Sequence, residues 1–86
     1  MNYLHSEVVL IDSTAVRVDL SGSEANVKVM DDFNFRQYTA GSRHQYFGGH
    51  YKQSPAIIRP PSSGKWHVTV DTGGFAGTVN ARVSVV

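Results

Sequence analysis

Apolar and polar residues alternate along much of this chain. In four segments every second residue is apolar, and polar residues lie between. The apolar positions are Val16, Val18 and Leu20; Val27 and Val29; Trp66, Val68 and Val70; and Val79, Ala81, Val83 and Val85. Successive side chains of a strand point to opposite faces of a sheet, so each segment is predicted to be a strand that buries one face.

Clusters of Asp, Ser and Gly separate the alternating segments and are typical of turns. We predict strands near residues 4–11, 14–21, 25–30, 44–48, 55–59, 65–71 and 77–85. Pro60 and Pro61 are expected to end the fifth strand, because proline has no N–H to donate to a sheet.

One short helical turn is predicted near 32–40. Asp31 or Asp32 can cap its start, because a carboxylate accepts hydrogen bonds from the free amides there, and Gly41 can end it. Phe35 and Tyr38 are three residues apart and would share a face. A helix this short is stable only if such side chains pack on the sheet.

Length and composition agree with an all-β fold. The 86 residues suffice for a single domain, 1–86. They include 12 Val, 3 Ile and 5 Thr but only 3 Leu and 2 Glu, and β-branched side chains favour strands. Seven short strands cannot enclose a dry core in one open sheet. We therefore predict a small antiparallel β-sandwich with jelly-roll or Greek-key connections, with a small barrel as the alternative.

Composition also excludes several classes of protein. The chain has no cysteine, which excludes disulfides, thiolate zinc sites and cysteine nucleophiles. Its longest aliphatic run is 8–11, too short to span a membrane, and its first residues lack the features of a signal peptide. We expect a cytoplasmic protein without a membrane partner.

Charge and aromatic residues are concentrated in the middle of the chain. Residues 1–32 hold six acidic and two basic residues, whereas residues 33–70 hold five basic residues and no acidic one. The middle segment also holds seven of the nine aromatic residues. Such asymmetry indicates a cationic surface with exposed rings, although the net charge of the chain is only +1.

This middle segment is where we predict a ligand site. Basic side chains attract phosphates, and aromatic rings stack on planar groups. We expect a small anionic or planar ligand to contact Arg36, Arg43, His44, Tyr46, His50, Tyr51 and Lys52. The more ordinary interpretation of aromatic residues is a place in the core, which we expect for Phe33, Phe35 and Trp66. For Tyr46 and Tyr51 both interpretations stay open.

Metal and catalytic sites are not predicted. A turn at Gly48-Gly49 could bring His44 and His50 together, but the segment holds no cysteine or acid to complete a zinc site. His67 is expected to be an ordinary histidine on a strand face. The chain lacks a nucleophile elbow and a phosphate-binding glycine loop. We therefore expect no cofactor, no metal and no enzymatic activity.

Several stretches together resemble a known family. They are residues 16–22 with 25–27, residues 30–38, residues 46–51 with 54–55, and residues 64–68. The chain resembles the bacterial domain-of-unknown-function family 1883 over essentially its whole length. The resemblance implies a compact β-sandwich of unassigned activity, found alone or ahead of Toll/interleukin-receptor-like domains. That arrangement suggests a sensing or adaptor module.

Three functions remain open from the sequence. The first is a non-enzymatic binding or sensor module with its ligand on segment 36–52. The second is a protein–protein adaptor, which would form a weak homodimer through a sheet edge or bind a bacterial signalling or defence effector. The third is a weak nucleic-acid binder, which the low net charge does not favour. A monomer or a weak homodimer is expected.

Overall fold

The computed structural model describes residues 2–86, which form seven strands and one helix. The elements are β1 (Leu4–Leu10), β2 (Val16–Gly22), β3 (Ala25–Met30), α1 (Asp32–Thr39), β4 (Phe47–Tyr51), β5 (Ala56–Ile58), β6 (Gly64–Asp71) and β7 (Val79–Val85). They build one sheet in the order β1-β6-β3-β4 and another in the order β5-β2-β7, with antiparallel neighbours throughout. The predicted β-sandwich is confirmed.

The hydrophobic core lies between the two sheets and is built from the alternating positions. Val68 of β6 is paired with Val29 of β3 on one side and with Ser6 of β1 on the other. Side chains paired in this way share a face of the sheet, so the apolar positions of neighbouring strands meet. The buried members are Leu10, Val16, Val18, Ala25, Val27, Val29, Ala56, Ile58, Trp66, Val68 and Val70. The predicted core position of Trp66 is thereby confirmed.

Helix α1 packs on the outer face of the four-stranded sheet, against β6. Its N-cap is Asp31, whose side chain accepts a hydrogen bond from the Asn34 amide. Tyr38 is buried beneath the helix. Phe33, expected in the core, is instead 67% exposed. It precedes Phe35 by two residues, which is about 200° around a helix, so the two rings cannot face the same way.

The region before β4 differs from the prediction. The fourth strand runs from Phe47 to Tyr51, not from 44 to 48, and Gly48-Gly49 lies inside it rather than in a turn. Gly48 has a φ of +123°, and a Cβ on it would lie 2.1 Å from the Val27 carbonyl oxygen. Glycine is therefore needed because β3 and β4 approach closely here.

Within residues 2–86, no helix has the length and apolar character needed to cross a membrane.

Candidate functional site

The residues predicted to bind a ligand do not share one surface. Side chains alternate along β4, so His50 faces outward while Tyr51 packs against the core. His50 forms hydrogen bonds with Asn26, at 2.9 Å, and with Glu24, at 3.1 Å. Three of the predicted residues are exposed cations: Arg36, Arg43 and Lys52. The predicted set is thus divided between the two faces of the sheet.

Two members of the set, His44 and Tyr46, do lie close together. Their ring centroids are 5.5 Å apart. The Lys28 ammonium lies 3.1 Å from His44 Nε2 and 4.6 Å from the centroid of Tyr46. A cation over an aromatic ring is attracted by the electrons of that ring. These contacts hold the segment before β4 on the outer face of the sheet. His44 and His50 therefore have different partners.

Tyr46 also borders an open groove of about 570 Å³, here called the aromatic groove. The groove is lined by Met30, Asp31, Asn34, Gln45, Tyr46, Phe47, Pro61 and Trp66. Tyr46 and Phe47 are each 42% exposed, and Phe47 packs edge-to-face on Trp66 with 5.9 Å between centroids. The groove thus has two half-exposed rings beside a buried tryptophan.

Hydrogen bonds fix the polar side of the aromatic groove. Asp31 Oδ1 accepts from the Asn34 backbone amide at 2.9 Å and from Asn34 Nδ2 at 3.0 Å. Asn34 Oδ1 in turn accepts from the Gln45 backbone amide at 2.8 Å. These bonds tie the start of α1 to the segment before β4. Asp31 is the single charged residue in the lining, which includes no lysine or arginine.

A second group of polar side chains lies between β1, β6 and the start of α1. We call it the histidine cluster, and it consists of His5, Glu7, Asp32, Lys65 and His67. His5 Nε2 lies 2.9 Å from His67 Nδ1, and the other ring nitrogen of His67 is hydrogen-bonded to Asp32. Glu7 Oε1 lies 3.8 Å from His67 Nδ1. The Lys65 ammonium lies 3.7 Å from Glu7 and 3.6 Å from Asp32.

The surroundings of the histidine cluster shift two of its pKa values. Burial is the main cause that lowers the pKa of His5 below its ordinary value of 6.5, and the electrostatic interaction with the neighbouring His67 lowers it further. The hydrogen bond from His67 is the main cause that lowers the pKa of Asp32. Phe35 lies flat against both imidazoles, with 4.3 Å between centroids in each case. His67 is buried beneath it.

Farther along the outer face of β6, Asp71 is buried in a hydrogen-bond network. It accepts from the Tyr38 hydroxyl at 2.5 Å, from Asn26 Nδ2 at 3.0 Å and from the Gly73 amide at 2.8 Å. Burial alone would raise the pKa of Asp71, but these hydrogen bonds outweigh it and hold the pKa below its ordinary value. Burial and the bond to Asp71 raise the pKa of Tyr38.

The histidine cluster escaped the sequence analysis, although part of its signal is visible in the chain. His5 and Glu7 are two residues apart, as are Lys65 and His67, so each pair lies on one strand face. What brings the pairs together is the register of β1 against β6, in which Glu7 is opposite His67. No local pattern specifies that register.

Comparison with known protein families identifies the family of this chain. A family model described as "Domain of unknown function (DUF1883)" matches residues 1–86, the whole chain. No curated protein and no solved structure matches it.

Proposed function

We propose that this chain, which belongs to the DUF1883 family, is a non-enzymatic binding module that holds a small ring-shaped ligand in the aromatic groove. The observation that carries the proposal is the pair of half-exposed rings, Tyr46 and Phe47, beside a polar side whose geometry is already fixed. Ligand sites are typically concave and apolar, with a few well-placed polar groups.

The two sides of the groove would perform different tasks. Tyr46 and Phe47 are each 42% exposed. The Lys28 ammonium already lies over one face of Tyr46, so a ligand would stack on the other face or on Phe47, and stacking contributes about 1–3 kcal/mol per ring. The side-chain amide of Gln45 is exposed at the edge of the groove, where it can donate to and accept from a polar ligand. Because Asn34 already binds the Gln45 backbone, little conformational entropy is lost when a ligand binds.

The charge of the lining favours an uncharged ring over an anion. Asp31 would repel a phosphate or carboxylate, and the cations Arg36, Arg43 and Lys52 are not part of the lining. The nearest cation, the Lys28 ammonium, is already engaged by the Tyr46 ring and by His44. Of the two ligand classes expected from the sequence, the planar one therefore has support in the groove and the anionic one does not. The lining lacks a serine, threonine, lysine or histidine, and Asp31, its carboxylate, already accepts two hydrogen bonds from Asn34, which is the arrangement of a helix cap.

Tryptophan fluorescence tests this proposal directly. The chain has one tryptophan, Trp66, and it lines the groove, so its emission reports occupancy. We would titrate adenosine, adenosine monophosphate and glucose in turn. Saturable change with adenosine or glucose is expected, and adenosine monophosphate should bind no more tightly than adenosine.

Two variants make the test specific. Tyr46→Ala should weaken binding about tenfold or more, since it removes one stacking surface. The matched control is Phe75→Ala, which removes an exposed ring outside the groove lining and should leave affinity unchanged. Equal losses in both variants, tighter binding of the monophosphate, or no saturable response to either uncharged probe would refute the proposal.

A second candidate function, the protein–protein adaptor, is favoured by one edge of the fold. Among the described residues β1 pairs with β6 alone in its sheet, so the backbone of its other edge could accept a strand, although β1 also contacts β7 of the second sheet. Val9 and Ile11 at this end are 69% and 70% exposed. Sedimentation velocity over a range of concentrations would reveal self-association. A constant monomer mass, unaffected by Val9→Lys, would count against a homodimer through this edge.

A further inference from the structure

We propose that the histidine cluster binds a divalent transition-metal ion of the zinc class through His5 Nε2, His67 Nδ1 and the Glu7 carboxylate. These three ligand atoms lie within 4.8 Å of one another. Two imidazoles and one carboxylate are a common ligand set for zinc and related ions, and they leave at least one position open for water or another ligand. The inference does not depend on the aromatic groove.

The hydrogen bond between His67 and Asp32 supports this assignment. Asp32 accepts from His67 Nε2, so the proton of a neutral His67 stays on that nitrogen and the lone pair stays on Nδ1. It is Nδ1 that faces His5 and Glu7. A carboxylate behind the ligating histidine is the usual arrangement in metal sites, because it fixes the tautomer and the ring orientation.

The ligand atoms are close to the separations that zinc requires, but the hydrogen bond between His5 Nε2 and His67 Nδ1 must be replaced. With the His67 proton on Nε2, His5 Nε2 is the donor of that bond, so metal binding requires the proton of His5 to move to its own Nδ1. Two nitrogens bound tetrahedrally at about 2.0–2.1 Å from zinc lie about 3.3 Å apart. His5 Nε2 and His67 Nδ1 are now 2.9 Å apart, and Glu7 Oε1 is 3.8 Å from His67 Nδ1. His5 and Glu7 are exposed and can shift, whereas His67 is buried. The ion would therefore seat on His67, and the other two ligands would close around it.

Rigid elements hold the ligands. His5 and Glu7 belong to β1 and His67 to β6, and the two strands pair continuously from Leu4↔Val70 to Leu10↔Gly64. Phe35 covers one face of each imidazole, and its ring plane is tilted by 16° from that of His5 and by 4° from that of His67. The paired strands therefore fix the backbone positions of the ligands, and only the exposed side chains of His5 and Glu7 have to adjust when the ion binds.

Lys65 opposes metal binding in the described conformation. Its ammonium lies near the carboxylates of both Glu7 and Asp32. Its positive charge therefore neutralises the negative charge that would attract a metal cation. The side chain is half-exposed and can move into solvent. Removal of its charge should therefore tighten metal binding, which is the reverse of the effect expected for the three ligands.

The test uses the untagged full chain, stripped of metal with a chelator and titrated with Co²⁺ followed by Zn²⁺ competition. The expected result is one equivalent of Co²⁺ with visible ligand-field absorption of low symmetry, displaced by Zn²⁺. His5→Gln and Glu7→Gln should each weaken Co²⁺ binding about tenfold or more. Loss of a residue that merely hydrogen-bonds to a metal ligand typically has an effect of that size, and loss of a ligand should have at least as large an effect. Lys65→Gln should strengthen it.

The matched control is His50→Gln, which removes an exposed histidine that also lies beside a glutamate, Glu24. It should leave the metal affinity unchanged. His5 is exposed, so His5→Gln is expected to stay folded, which the amide NMR spectrum would verify. The proposal is wrong if the wild-type chain binds no Co²⁺, if His50→Gln loses as much affinity as His5→Gln, or if Lys65→Gln weakens binding.

Discussion

Both faces of β6 are buried, but the inner face carries apolar side chains and the outer face carries polar ones. Val68 is 1% exposed and Thr69 is 0% exposed, yet the first faces the apolar core and the second lies on the outer face with His67 and Asp71. Apolar burial requires only contact and responds little to pH. Burial of polar groups costs free energy wherever a hydrogen bond or charge loses its partner. The contribution of the inner face to stability is therefore nearly independent of pH, whereas that of the outer face depends on its hydrogen bonds and on the charge of its side chains.

Loss of the Asp71 carboxylate is expected to have the largest effect. Asp71→Ala leaves the buried Tyr38 hydroxyl and Asn26 amide without their acceptor, which should lower the free energy of unfolding by about 3 kcal/mol. Urea denaturation at neutral pH measures this. Asp12→Ala, at an exposed turn, is the control and should cost little. If Asp71→Ala lowers the free energy of unfolding by less than Val68→Ala does, the polar face is not the more sensitive of the two.

Truncation of the inner face should cost somewhat less. Val68→Ala removes two methyl groups from a closely packed site, which should lower the free energy of unfolding by about 2 kcal/mol. The loss should be the same at about pH 5 and at about pH 7, because no titrating group is involved. Val9→Ala, at a largely exposed position, should have almost no effect. A loss that changes with pH would contradict the contrast between the faces.

Acidification should destabilise the outer face first at His5. Its pKa is lowered in the folded chain, so the unfolded chain binds more protons and stability falls as pH drops through 6.5 toward the folded-state pKa. His5→Gln removes this dependence but keeps a donor for His67 Nδ1. Urea midpoints of the metal-free chain, measured between about pH 8 and pH 5, should therefore fall less steeply in this variant. Parallel curves for variant and wild type would contradict the prediction.

The smallest effect should have the opposite sign. The Thr69 hydroxyl is buried beside the Tyr38 hydroxyl, but among the described residues it makes no hydrogen bond of standard geometry. Thr69→Val replaces it with a methyl group of similar shape, so the variant should be unchanged or more stable by up to about 1 kcal/mol. A rise in the thermal midpoint would show it, with Thr78→Val at an exposed position as control. Clear destabilisation would mean that the hydroxyl has a partner in solution, such as water.

Most of the fold could be predicted from the sequence because period-two alternation is a local signal. It located β2, β3, β6 and β7, and of the two predicted caps, Asp31 and Asp32, it is Asp31 that caps α1. β4 was misplaced by three residues because glycines usually mark turns, whereas Gly48 permits the close approach of two strands. Phe33 was misassigned because neighbouring aromatic residues on a helix face different ways.

The candidate sites were harder to predict because they depend on contacts between distant residues. His5 and His67 are 62 positions apart. The acid-free segment suggested a basic surface, yet antiparallel pairing places Lys65 beside Glu7 and His50 beside Glu24. Acidic and basic residues that are far apart along the chain thus lie side by side in the folded sheet. Only the part of the predicted site nearest to Tyr46 lines a groove.

The start of α1 has a consequence for communication across the molecule. Asp31 and Asp32 are adjacent, yet Asp31 lines the aromatic groove while Asp32 holds His67. A displacement of this one helical turn would alter both places at once. If occupation of either place moves the turn, the two affinities are coupled by a single free energy, and the coupling must be equal in both directions. Binding at one site would then change the affinity of the other through the movement of two adjacent residues, Asp31 and Asp32.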